Sequence, residues 1–138
     1  ATGVSSDSYY LYNHESGHNN DADPMDNVFI ESSDFDLSEG EEFQYISRII
    51  PDIKFTGNGG SDQTINIVLK QRNFPGESLS TDSTNTCTTT TTKIDTRLRA
   101  RQAALRIESD DDGSVGVRSG VGFRVGAMRM DVRPNGRR

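Results

Sequence analysis

Apolar residues fall on every second position across residues 43–55. Phe43, Tyr45, Ile49, Ile53 and Phe55 share one parity, broken only by Ser47 and Pro51. Successive side chains of an extended chain point to opposite faces of the pleat, so this pattern predicts a strand with one buried face. Gln44, Arg48, Asp52 and Lys54 take the other parity, together with Ile46 and Ile50. Pro51 has no N–H to donate to a ladder, so the strand is at an edge, bulged, or in fact two strands.

The same period recurs downstream. Ile65, Ile67 and Leu69 share a face within Thr64–Arg72, and Asn73-Phe74-Pro75-Gly76 closes that run as a turn. Val115, Val117, Val121, Phe123 and Val125 share another face. The parity then flips at Gly126-Ala127, making Met128, Met130 and Val132 the apolar set. A one-residue flip beside glycine predicts a bulge or a bend between two strands. Val28 to Glu31 reads as a short strand, Asp34 to Gly40 as an acidic turn, and the Asn/Asp-rich residues 13–27 as a loop. Residues 78–92, rich in Ser and Thr, suit a strand by propensity and a loop by polarity. Residues 94–108 admit a helix through Leu, Ala, Arg and Gln, but Arg97, Arg99 and Arg101 alternate with Leu98 and Ala100, which favours strand.

With 138 residues the chain has room for one domain, and its 31% hydrophobic content without Trp makes a lean core. The expected fold is all-β, a small antiparallel β-sandwich of six to eight short strands with long loops. Residues 1–42 form an acidic, loop-rich segment with one or two short strands, and residues 43–138 form the sandwich core. No run of 18 apolar residues suggests a membrane span, and no basic-then-apolar signal segment opens the chain. The opening Ala-Thr-Gly, without Met, fits a processed product or a piece of something longer.

Charge is segregated along the chain. Residues 1–47 hold eleven Asp or Glu and no Lys or Arg, whereas residues 93–138 hold eleven Lys or Arg against six acids. A pI near 4.8 argues against a chain that clings to nucleic acid as a whole. The basic last third is the exception, and Arg97, Arg99, Arg101, Arg137 and Arg138 concentrate guanidinium groups suited to bidentate contacts with carboxylate or phosphate. An exposed sheet face with local acidic partners explains them equally well.

The chemical motifs are weaker. His14-Glu15-Ser16-Gly17-His18 matches a zinc-peptidase pattern, which works only on a helix, yet here Gly and Asn residues mark a loop and the chain has no third His. Asp34, Asp36, Glu39, Glu41 and Glu42 read as a solvated acidic turn without the spacing of a calcium loop. A single cysteine, Cys87, excludes an internal disulfide and any multi-cysteine metal site, and it has no His nearby in sequence to make it a nucleophile. Neither Gly57–Gly60 nor Gly120–Gly122 matches a phosphate-binding loop. The residues therefore predict no enzyme, no metal and no cofactor.

Several blocks occur in a familiar order: LYNHESG at 11–17, FIESSDFDLSEGEEF at 29–43, ISRIIPDIKF at 46–55, LKQRNFPG at 69–76, RARQAALRIESDDDG at 99–113 and FRVGAMRMDVRPNGRR at 123–138. From Leu11 onward the chain resembles the C-terminal region of tail-nozzle (tail tubular protein B type) virion structural proteins of short-tailed bacteriophages. Such relatives usually have Trp where this chain has Phe123. The resemblance implies a structural protein of the phage tail. It would oligomerise in a ring, sixfold by analogy, with neighbouring tail or adaptor proteins and with DNA passing through the lumen without sequence recognition. The charge segregation adds an expected interface: acids including Asp34, Asp36, Glu41 and Glu42 against the basic Arg97, Arg99, Arg101, Arg137 and Arg138 of an adjacent subunit or virion protein, with pairing of the acidic and basic thirds within one chain as the competing outcome. An alternative is a carbohydrate- or receptor-binding sandwich that uses Tyr9, Tyr10 and Tyr12 as stacking platforms.

Overall fold

The computed structural model describes residues 19–20, 23–24, 28–57, 63–109 and 121–136. The sequence features at Tyr9, Tyr10, Tyr12, His14, His18, Val115, Val117, Arg137 and Arg138 lie outside these residues. The described chain is all-β and antiparallel. Its strands are β1 (Asn19–Asn20), β2 (Asp23–Pro24), β3 (Phe29–Glu31), β4 (Phe35–Asp36), β5 (Gln44–Ile50), β6 (Ile53–Gly57), β7 (Thr64–Arg72), β8 (Ser80–Thr88), β9 (Ile94–Ala100), β10 (Gln102–Ser109), β11 (Val121–Val125) and β12 (Arg129–Pro134). One 3-10 turn, Ser38–Gly40, interrupts them. The twelve strands exceed the six to eight expected because several span only two or three residues.

Two sheets face each other across one core. The larger runs β3-β10-β7-β8, with β4 also paired to β10, and the smaller runs β12-β5-β9. Ile65, Ile67, Leu69, Cys87, Ala103 and Ile107 of the first sheet and Ile46, Ile49, Ile94, Leu98 and Ala100 of the second form a single buried cluster. The chain crosses from one sheet to the other at Arg101, between Ala100 of β9 and Gln102 of β10. Residues 94–108 are thus strand on both sides of a corner. In β9 burial alternates without a break, Ile94, Thr96, Leu98 and Ala100 inward and Asp95, Arg97 and Arg99 outward. The acidic N-terminal part is built into the same sheet, since β3 and β4 both line the edge of β10.

Pro51 divides two strands. Segment 44–57 pairs with segment 121–134 as one long antiparallel ribbon, bent at Pro51-Asp52 on one side and at 126–128 on the other. The flip at Gly126-Ala127 is this bend, and Met128, Met130 and Val132 are half-buried against the core beyond it. The parity expected for 43–55 is broken once more than the sequence suggested. Gln44 and Ile46 are buried, and Ile49 takes the inward position after them, while Phe43 and Tyr45 are only partly covered. The register of β5 slips around Ser47 against both neighbours. A one-residue slip exchanges the faces of a strand, so the two aromatics move to the outer side and a glutamine enters the core. Its Nε2 donates to the Phe35 carbonyl at 3.0 Å, tying the two sheets together.

Candidate functional site

The outer face of the three-stranded sheet collects the arginines. Strand β5 is central, and register places Tyr45 opposite both Arg99 of β9 and Arg133 of β12. The next row sets Arg48 opposite Asp95 and Asp131, and the following one sets Ile50 opposite Arg129. Arg97 stands exposed between the first two rows, where the register slips. The parity that buries Ile94, Leu98 and Ala100 also sends Arg97 and Arg99 outward, which is why one strand supplies both core and surface.

Aromatic rings hold several of these guanidinium groups. Arg99 lies 3.9 Å and Arg101 5.0 Å from the centroid of Phe43, and Arg133 lies 4.8 Å from that of Tyr45. Stacking of this kind at partly exposed sites contributes about 0.5–1 kcal/mol and limits side-chain freedom. Arg101 also donates to the carbonyls of Gly40 at 3.1 Å and Glu41 at 3.3 Å. Arg99 reaches the Asn135 carbonyl at 3.4 Å. Among the described residues two acids serve this face, and both have partners: Asp131 pairs with Arg48 at 3.0 Å, Asp95 with Lys93 at 3.0 Å. These pairs are about half exposed or more, so each is worth roughly 0–1 kcal/mol. Among the described residues no carboxylate pairs with Arg97, Arg129 or Arg133.

The larger sheet has the opposite character. Glu31 accepts from Lys70 at 2.6 Å and from Arg106 at 3.4 Å, and Arg106 also donates to Glu108 at 2.5 Å. The hydrogen bond from Lys70 is the main reason the Glu31 carboxyl titrates below its usual range, with the charges of Lys70 and Arg106 adding to it and burial opposing it. Arg72 pairs with Asp34 and donates to Gln102 at 2.7 Å, while Gln102 donates to Asp36 at 3.1 Å. Acid and base are balanced within the chain here.

The nine expected interface residues thus divide. Arg97 and Arg99 stand exposed, and Arg101 is partly buried against its own acidic turn. Asp34 and Asp36 are held by Arg72 and Gln102 of the same chain, Glu41 is exposed, and Glu42 is half-buried. Arg48, Arg129 and Arg133 join the basic face without having been singled out. For Arg129 and Arg133 the signal was present, because the parity that buries Met130 and Val132 turns both outward.

Cys87 is buried in the core, where desolvation pushes its thiol upward despite an opposing hydrogen bond with Thr91. Among the described residues no helix is long and apolar enough to cross a membrane. No family model matches the chain, and no curated protein matches it.

Proposed function

We propose that the chain is a non-enzymatic structural module of a phage tail, of the tail-nozzle type. It pairs with copies of itself and with neighbouring tail or adaptor proteins around the path by which DNA leaves the particle. The ordered sequence blocks at 29–43, 46–55, 69–76 and 123–138 support the family, and through it a ring, sixfold by analogy.

The observation that carries the reading is the division of charge between the two sheet faces. Lys70, Arg72 and Arg106 are neutralised by Glu31, Asp34 and Glu108. Arg97, Arg129 and Arg133 project from the other sheet with no acidic partner among the described residues. In a chain of net charge -6, such a local excess of arginine is suited to an acidic neighbour.

Native mass spectrometry of the purified chain, with electron microscopy of the same sample, tests this. A closed oligomer of one defined stoichiometry is expected. A chain that stays monomeric at every concentration, alone and with tail proteins of its particle, overturns it.

A further inference from the structure

The structure leaves two complementary sets of charges that are not paired with each other among the described residues. The first is Arg97, Arg129 and Arg133 on the outer face of β9-β5-β12. The second is the carboxylates of Glu39 and Glu41, which have no hydrogen-bond or ion-pair partner among the described residues. Both acids are exposed, on the 3-10 turn and just after it.

That turn is held firmly. Arg101 binds the carbonyls of Gly40 and Glu41, and the Gly40 N–H donates to the Leu37 carbonyl at 3.1 Å. Glu39 and Gly40 both adopt left-handed backbone, with φ of 56° and 76°. A non-glycine residue in this region stores roughly 1–3 kcal/mol and persists only where its surroundings enforce it. The two side chains therefore project from a fixed backbone, which lowers the entropy lost on docking.

Sheet geometry sets Arg97 and Arg129 apart from the turn, while Arg133, opposite Tyr45, lies nearer to it. Arg97 is four residues from Arg101 along the chain, or about 13 Å at strand rise. Arg129 pairs with Ile50, seven residues beyond Phe43 on β5, or about 23 Å. The turn sits at the Arg101 end, and among the described residues neither Glu39 nor Glu41 pairs with Arg97 or Arg129 of its own chain.

We infer that the acidic turn of one copy docks on the arginine face of the next, through Glu39 and Glu41 against Arg97 and Arg129, with Arg133 at the margin. This contact rests on the structural-module reading above and names its partner: a second copy of this chain. Charge complementarity within one sequence favours this partner. Arginine forms bidentate pairs with carboxylates, and the overall charge of -6 opposes a long polyphosphate as the occupant. Two different patches on identical chains make a head-to-tail contact, which propagates to a ring when the rotation closes.

A charge-swap experiment tests the inference. One variant carries Glu39→Lys and Glu41→Lys, and the other carries Arg97→Glu and Arg129→Glu. Each alone is expected to associate about tenfold more weakly than the wild type in sedimentation velocity. An equimolar mixture restores association, because each lysine turn meets a glutamate face and each glutamate turn meets an arginine face. Circular dichroism confirms folding, and the neutral pairs Glu39→Gln/Glu41→Gln and Arg97→Gln/Arg129→Gln give the same direction with less perturbation.

If the wild type assembles but neither swap weakens it, or the mixture fails to recover, the inference is overturned while the module reading stands. A wild type that never assembles sinks both. Fluorescence anisotropy with labelled single- and double-stranded oligonucleotides supplies the last arm. Binding lost with the arginine variant, while self-association is unchanged, would assign the face to nucleic acid and overturn the contact proposed here.

Discussion

Asp52 and Gly126 fasten the two bends of the long ribbon to each other. The Asp52 carbonyl accepts from the Gly126 N–H at 2.7 Å, and its carboxylate Oδ2 accepts from the Ala127 N–H at 3.1 Å. A Cβ placed on Gly126 would collide with that carboxylate. The absence of a side chain at Gly126 thus lets one aspartate serve two backbone donors.

This relationship predicts a reversal of sign. Gly126→Ala should displace the carboxylate and destabilise the fold by about 1 kcal/mol, the typical worth of a hydrogen bond. In an Asp52→Ala background the obstruction is gone. The same change should then be neutral, or stabilise by some tenths of a kcal/mol through a less flexible unfolded chain. Urea denaturation of the four proteins measures it, and additive losses would count against the account.

Adjacent residues of β9 should differ sharply. Leu98 is fully buried, whereas Arg97 beside it is exposed. Leu98→Ala should cost about 2–5 kcal/mol, severe for a core this small, and Arg97→Ala should stay within about 0.5 kcal/mol. Chemical denaturation midpoints for the two variants provide the comparison.

Glu31 should make stability pH-dependent on the acid side. Its carboxyl is held below the ordinary value of 4.5, chiefly by Lys70, so the folded state binds this proton less readily than the unfolded state. The stabilisation is fully present above 4.5 and is lost as pH falls through the depressed folded value. Glu31→Gln should therefore be less stable than wild type at neutral pH, and the gap should shrink on acidification below 4.5. A constant gap across that range, by urea titration, would remove Glu31 from the account.

Cys87 should resist thiol reagents in the folded protein. It is buried and desolvation raises its pKa above 9.0, so little thiolate forms and little of it is reachable. Labelling should be slow natively and complete in strong denaturant. Rapid native labelling would mean that β8 opens readily from the core.

Part of this was legible along the chain. Alternation at 64–72 and across Arg97, Leu98 and Arg99 marked strands, because a period of two is a local property that survives any tertiary arrangement. Pro51 marked a division for the same reason, since a missing N–H is missing in every context. The slip at Ser47 was not legible. Ser47 is compatible with continuing the strand, and only the registers demanded by β9 and β12 together force the parity of β5 to change. Gln44 in the core and Phe43 and Tyr45 beneath arginines follow from that slip.

The interaction surface divides along the same line. Sequence by itself determined that the chain is built of strands, that acid and base are segregated along it, and that arginines alternate outward from a buried face, because each depends on neighbours in the chain. Which charges neutralise each other depends on pairing between segments dozens of residues apart. Only the tertiary structure decided that Asp34 and Glu31 are matched by Arg72 and Lys70 on one sheet, and that Arg97, Arg129 and Arg133 gather on the other. Charge interactions act through space at a few ångströms, and sequence order does not measure that distance.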